Sequence, residues 1–517
     1  MKPTSGFLWQ LIHSLDSSEK LFFKRNFLPD KSARLYIRLF DAIARQKEYD
    51  ETALLEKFHP AISKKNIATQ KHYLQKQIGE ALVRYDAKKD PSHELYGSIQ
   101  LIRIYRKKGL FAEAYAVWEK AMQKARKSES FALLQLLKTE FEKMVIMSHA
   151  HSGYDEMLAM FKKNVITYSE YAGLITLRDI YMESLLLRKK SHLSQDDTLK
   201  ERIRILLHQV EQTDFATEDH SFWYNNYYAM SRATLLYLLN DTAGSLVLLI
   251  NQFEEWKRNK QYIATHGEFY IELLYMINYA GILNGSYNYV SAVFSDELNN
   301  AITNKTQRAY FEAIKFLSLN KIYNKTARYD EVKKLVDFMK SGHKRSEPSL
   351  NAELNSTVNF SLGVASFALE QYEDALYFTR RAITGFPEGT REEQVAVGQL
   401  LLLLIAWNIG NPRIFESQYR ATYTYFYKRK KKQVFETVLV QCLHRTFFMP
   451  DQKKRTAEFK KTVQQLEENE QLPIQQRAFS IFNFPGWLHS KILRIAYRQY
   501  VEKKVKAAGN FSTTFNS

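Results

Sequence analysis

The chain has 517 residues, 74 Lys and Arg against 56 Asp and Glu, and a formal net charge of +18. Hydrophobic residues make up 45% of it, enough for a large core, and wholesale disorder is excluded. Only 18 Gly and 10 Pro occur, well below the average usage of roughly 7% and 5%, which argues against all-β and alternating β/α designs.

Helical periodicity, with apolar residues at i, i+3, i+4 and i+7, runs through nearly the whole chain, and no alternating strand run appears. The expected fold class is all-α. In chain order, the first helices are expected at 6–14, 17–27, 31–46 and 51–58, with a longer one at 64–87. Residues 1–92 read as a basic N-terminal cap. Lys64, Lys65, Asn66, Lys71, His72 and Lys76 cluster at the start of the long helix. With 51–58 it has the outline of a helix-turn-helix, an outline that any three-helix cap shares.

From about 93 to 445 the periodic segments come in pairs. The stretch Leu101–Ala121 places Leu101, Tyr105, Gly109, Phe111, Ala114, Trp118 and Ala121 at seven positions where it resembles the tetratricopeptide repeat. In that repeat, large residues of the first helix fill the groove between helices. The glycine permits the turn, and small residues allow close approach of the second helix. Ile102 departs from the pattern. A second match carries Leu362, Gly363, Tyr372, Ala375, Ala382 and Pro387, with departures at Ser366 and Thr379. Weaker copies keep the spacing through Leu319, Tyr323, Tyr329 and Val336, through Gly285, Tyr287, Val290 and Phe294, and through Gly410, Phe415 and Tyr419. Gly153-Tyr154 and Asn240-Asp241 mark two more. The resemblance implies an α-α superhelix, a solenoid of about eight to ten helix pairs of roughly 34–45 residues each.

Beyond it, helices are expected at 451–469, 473–482 and 486–507, giving a C-terminal helical cap over 446–508 and a tail over 509–517. The segments LIHSLDSSEKLFFKRNF near the start and FNFPGWLHSKI near the end are similar to a group of uncharacterised bacterial helical-repeat proteins. That similarity implies a fold and no activity.

Charge is uneven. Residues 1–128 hold 25 basic and 14 acidic side chains, a balance of +11, and residues 410–517 hold 20 and 8, a balance of +12. The middle is slightly acidic, at −5. Basic ends suit solubility or an acidic partner, nucleic acid included. The run Lys428, Arg429, Lys430, Lys431 and Lys432 follows Tyr423, Tyr425, Phe426 and Tyr427. It reads either as the solvated end of a helix with an inner aromatic stripe, or as a patch for an acidic partner.

No phosphate-binding glycine loop, dinucleotide fingerprint, serine elbow or zinc-protease helix is present. His149, His151 and Asp155 form the one local cluster with metal-ligand character, and they read as a solvated turn. Glu218-Asp219-His220 reads as an acidic helix start. The single cysteine, Cys442, forms no internal disulfide and lies beside Val438 and Leu439 on an apolar face, as a buried thiol does. The longest apolar run, Leu400–Trp407, is far short of the roughly 20 residues of a membrane span. The first twenty residues lack a signal-like apolar stretch, so a cytoplasmic location and no membrane partner are expected.

The expected function is non-enzymatic, without cofactor or metal: a protein- or peptide-binding scaffold. In the repeat it resembles, the inner surface comes from fixed first-helix positions. Here these are Arg103, Arg106 and Lys107, then Tyr275 and Tyr279, then Lys321, Asn324 and Lys325, and finally Phe360, Phe367, Leu404 and Trp407. The asparagine clamp for a terminal carboxylate is not expected, because its position reads Arg103, Tyr279, Lys321, Val364 and Leu404. The alternative is a peptide-sensing regulator, or a nucleic-acid-binding protein acting through the basic ends.

Overall fold

The computed structural model describes residues 6–26, 33–86, 91–148, 168–191, 197–213, 221–346, 350–387, 392–428, 433–468 and 473–509. Among them are 25 α-helices, two short 3-10 segments and no strand. The fold is all-α, with a helical-repeat order. By contacts the chain divides into two compact units, Met1–Glu255 and Trp256–Ser517. The division falls inside the stretch read as repeats.

In the first unit, α1 (Phe7–Ser14), α2 (Ser17–Asn26), α3 (Ala33–Arg45), α4 (Glu51–Phe58) and α5 (Ile67–Asp86) share one core built on Leu39, Phe40, Ile43, Phe58, Leu74 and Ile78. Their bounds follow the expected ones closely. Asp50 caps α4 by accepting from the Ala53 N–H at 3.1 Å. Next come α6 (Pro91–Lys107), α7 (Phe111–Lys127) and α8 (Phe131–Ser148), mutually packed around Trp118. The indole of Trp118 donates to the Leu137 carbonyl at 2.8 Å. Then α9 (Tyr168–Ser191), α10 (Asp197–Glu211) and α11 (Phe222–Leu238) pack together. The Glu129 carboxylate, from the α7–α8 turn, accepts from the first two amides of α11, Phe222 and Trp223, both at 3.1 Å. A carboxylate there satisfies orphan donors at the positive end of the helix. The helix α12 (Thr242–Arg258) spans the division.

In the second unit the helices are α13 (Ile263–Leu283), α14 (Tyr287–Ser295), α15 (Lys305–Lys325), α16 (Tyr329–Ser346), α17 (Ala352–Ala368), α18 (Tyr372–Gly385), α19 (Glu392–Ile409), α20 (Pro412–Lys428) and α21 (Val434–Phe447). They are followed by α22 (Gln452–Glu467), α23 (Pro473–Ile481), α24 (Phe484–Leu493) and α25 (Tyr497–Gly509). Here α13 packs on α14 and α15, α15 on α16 and α17, and α19 on α20 and α21. The first helices α13, α15 and α19 thus each meet their own partner and the next first helix, as stacked helix pairs must to bury both faces.

The repeat is written in the backbone more clearly than in the side chains. Six of the described first helices stop on one residue in the left-handed region: Gly109, Asn240, Gly285, Ala327, Glu370 and Gly410. From Asn240 onward these stops are 40–45 residues apart. At five of them the next amide bonds back across the helix end: Leu110 to Tyr105, Asp241 to Leu236, Ser286 to Gly281, Arg328 to Tyr323 and Gln371 to Ser366, all within 2.9 Å. This is the six-to-one closure that satisfies orphan carbonyls. Only three of the six stops are glycine. The others accept a cost of about 1 kcal/mol for a Cβ in that region.

At the second repeat-like stretch α17 and α18 pack closely. A Cβ on Gly363 of α17 would collide with the Thr379 side chain of α18 and reach its backbone nitrogen at 3.1 Å. The expected C-terminal helix over 486–507 is corrected. Arg494 adopts the left-handed conformation and the Ile495 amide closes back on the Ser490 carbonyl at 3.0 Å, so two helices, α24 and α25, replace one.

Candidate interaction surface

The left-handed stops give a common register for the first helices. Six residues before the stops lie Arg103, Thr234, Tyr279, Lys321, Val364 and Leu404. Three before lie Arg106, Tyr237, Ile282, Asn324, Phe367 and Trp407. The same positions serve different purposes along the chain.

On α6, Arg103 and Arg106 face Glu140 of α8. The Arg103 Nε donates to one carboxylate oxygen at 2.8 Å and the Arg106 Nη2 to the other at 3.4 Å. Lys143 adds a third contact at 3.3 Å. Glu140 is buried. Burial alone would disfavour its charge, but the bonds from Arg103 and Lys143 outweigh it and hold the carboxyl below its ordinary range. These arginines are therefore committed to an internal carboxylate. Lys107, one residue on, is exposed.

On α17 and α19 the register positions are covered by the chain itself. Phe367 meets Phe482 and Tyr497 at 5.3 and 5.9 Å between ring centres. Trp407 meets Phe459 of α22 and Trp487 of α24 at 5.9 and 5.3 Å. Lys491 lies over both indoles, and burial lowers its pKa against the opposing pull of Glu370. Phe360, Phe367 and Leu404 are buried. The expectation that Phe360 and Phe367 present an open face is corrected. The C-terminal helices lie against these first helices as well as following them.

Between these two regions lie α13 and α15. Tyr275 and Tyr279 are half-buried, their rings 4.6 Å apart and their hydroxyls bonded at 3.1 Å. Lys321 and Lys325, one turn apart, are exposed. Neither has an ion pair or hydrogen bond among the described residues. Protein packed around Lys321 desolvates its ammonium, and Lys325 repels it, so its pKa is lowered. Asn324 is engaged locally: its amide donates to the Asn320 carbonyl and side chain at 2.8 and 2.9 Å. Asn320 in turn donates to the Ser361 hydroxyl of α17 at 2.7 Å, which fixes the two first helices together.

Comparison with protein families and with curated proteins found no match for the chain.

Of the basic run, Lys428 is exposed at the end of α20, and Arg429, Lys430, Lys431 and Lys432 lie outside the described residues. So do His149, His151, Asp155, Gly153-Tyr154 and Glu218-Asp219-His220. Among the described residues no group of His, Cys, Asp and Glu is placed to hold a metal ion. No described helix is long and apolar enough to cross a membrane. Cys442 is buried, which pushes its thiol up to about 12. Sequence reasoning missed Glu140, and of the two readings it left for the aromatics before the basic run, an inner stripe does not hold for Tyr423 and Tyr427, which are exposed. Phe426 is the buried ring there.

Proposed function

We propose that the chain is a non-enzymatic scaffold, of the tetratricopeptide-like kind, that holds an extended segment of a partner protein along the first-helix face of α13 and α15. One observation carries this reading. Among the described residues Lys321 and Lys325 stand without a carboxylate, and Lys321 and Tyr279 hold the register position where Arg103 of α6 is paired with Glu140 and Leu404 of α19 is buried. Two cations that repel one another gain from an acidic partner, and half-buried tyrosines supply contact area at low entropic cost. A segment carrying acidic and apolar residues fits both. A cytoplasmic location accords with this role.

Affinity capture with the full chain tests it, with nuclease treatment as the control. Tyr275→Ala with Tyr279→Ala is expected to weaken capture of the partner at every salt concentration, since aromatic anchors typically contribute about 2 kcal/mol or more. Capture unchanged by both substitutions would refute the reading.

A further inference from the structure

A second surface, on α20 and α21, has a different chemistry. Five rings follow one another across the two helices. Phe448 meets His444 at 5.8 Å between centres, and His444 stacks on Tyr419 at 4.1 Å. Tyr419 meets Tyr423 at 6.1 Å, and Tyr423 lies nearly parallel to Tyr427 at 6.2 Å and 16°. The spacing of four residues along α20 puts Tyr419, Tyr423 and Tyr427 on one side of the helix. The ladder's lower end is anchored by Phe415, buried and stacked on Phe447 at 3.9 Å. The rings at its two ends are exposed, Tyr423 by 53% and Tyr427 by 69% at one end and Phe448 by 51% at the other, with Tyr419 and His444 half-buried between them. Exposed rings linked through half-buried ones make a larger aromatic surface than scattered single rings do, and such a surface marks a binding site.

The charges beside it are mostly of one sign. Arg413, Arg420 and Lys428 are exposed on α20. Arg413 and Lys428 have no acidic partner among the described residues, and Arg420 has only Glu416 at 3.9 Å. Arg445 is paired with Glu458 at 3.0 Å. From Arg413 to Lys428 the helix rises about 22 Å. The surrounding sequence, residues 410–517, carries +12.

We propose that this ladder binds single-stranded nucleic acid, with bases on Tyr423, Tyr427 and Phe448 and phosphates on Arg413, Arg420 and Lys428. Every base has a flat face that stacks on an aromatic ring, and the cations track the backbone, so binding tolerates sequence. The ladder's length suits about four nucleotides. A duplex keeps its bases stacked on one another and cannot use the rings. A protein partner of α20 would not need cations along the whole helix.

The test is fluorescence anisotropy of the full chain with labelled single-stranded oligonucleotides of twelve nucleotides, RNA and DNA, and with a duplex of the same length, from low to physiological salt. Single strands are expected to bind more tightly than the duplex. Tyr423→Ala with Tyr427→Ala should weaken single-strand binding at least tenfold, and Tyr→Phe at both positions should restore most of it. Since both tyrosines are exposed, an unchanged thermal melt separates this loss from unfolding. Arg413→Ser, Arg420→Ser and Lys428→Ser together should flatten the salt slope by about 2, as three lost phosphate contacts require. Equal affinity for duplex and single strand, or indifference to the tyrosine changes, or no binding at low salt, would each overturn the proposal.

Discussion

Two first helices place cations at the same distance from their stops, and the outcomes differ. On α6, Arg103 and Arg106 close on the buried carboxylate of Glu140. On α15, Lys321 finds no carboxylate among the described residues, and both its surroundings and Lys325 press against its charge. The first arrangement is a structural clasp whose loss leaves a buried group uncompensated. The second is a cost the folded chain carries. A register position in a repeat therefore says where a side chain sits, and the neighbouring helix decides whether it holds the fold or awaits a partner.

The sharpest way to break this comparison is at Glu140. Glu140→Gln should destabilise the first unit by about 2 kcal/mol, the scale of a lost hydrogen bond to a charged group. Because the folded carboxyl titrates below its ordinary 4.5, its contribution is fully present above that pH and fades as pH falls through the folded value. Thermal melts of wild type and variant should therefore converge in acid. Gly363→Ala tests the register independently, since the new Cβ meets Thr379, and overpacking of this kind costs roughly 1–3 kcal/mol. A melt matching wild type would show the α17–α18 approach to be looser than described.

Ala327→Gly sharpens the stop assignment in the other direction. It should gain about 1 kcal/mol by relieving a Cβ in the left-handed region. The smallest effect belongs to Lys321→Gln, which should leave stability unchanged or slightly raised at neutral pH. The wild-type lysine is penalised below its lowered pKa, and the penalty is relieved as pH rises past the ordinary 10.5, so any advantage of the variant should vanish in alkali. A marked loss of stability in Lys321→Gln would mean that Lys321 is a clasp like Arg103.

Much of this architecture was legible beforehand. The span 51–58 was readable because Asp50 caps it and apolar residues recur at helical spacing. Gly109, Gly285 and Gly410 announced their turns. Ala327, Glu370 and Arg494 did not, because a non-glycine residue in the left-handed region leaves no compositional mark, and for that reason 486–507 was read as one helix. Phe360 and Phe367 were assigned to an open face because a repeat pattern describes only neighbours. The rings covering Phe367, Phe482 and Tyr497, come more than a hundred residues later. Glu140 escaped notice for the same reason, 37 residues from Arg103.

The central claim is that partner contact occurs at α13 and α15 and not at α6. A photo-crosslinking amino acid placed at position 279, and separately at position 103, in the cells that make the protein measures this directly. Irradiation is expected to give protein adducts from position 279 whose attached segment is rich in Asp and Glu, and none from position 103. Adducts at 103 with none at 279 would contradict the account.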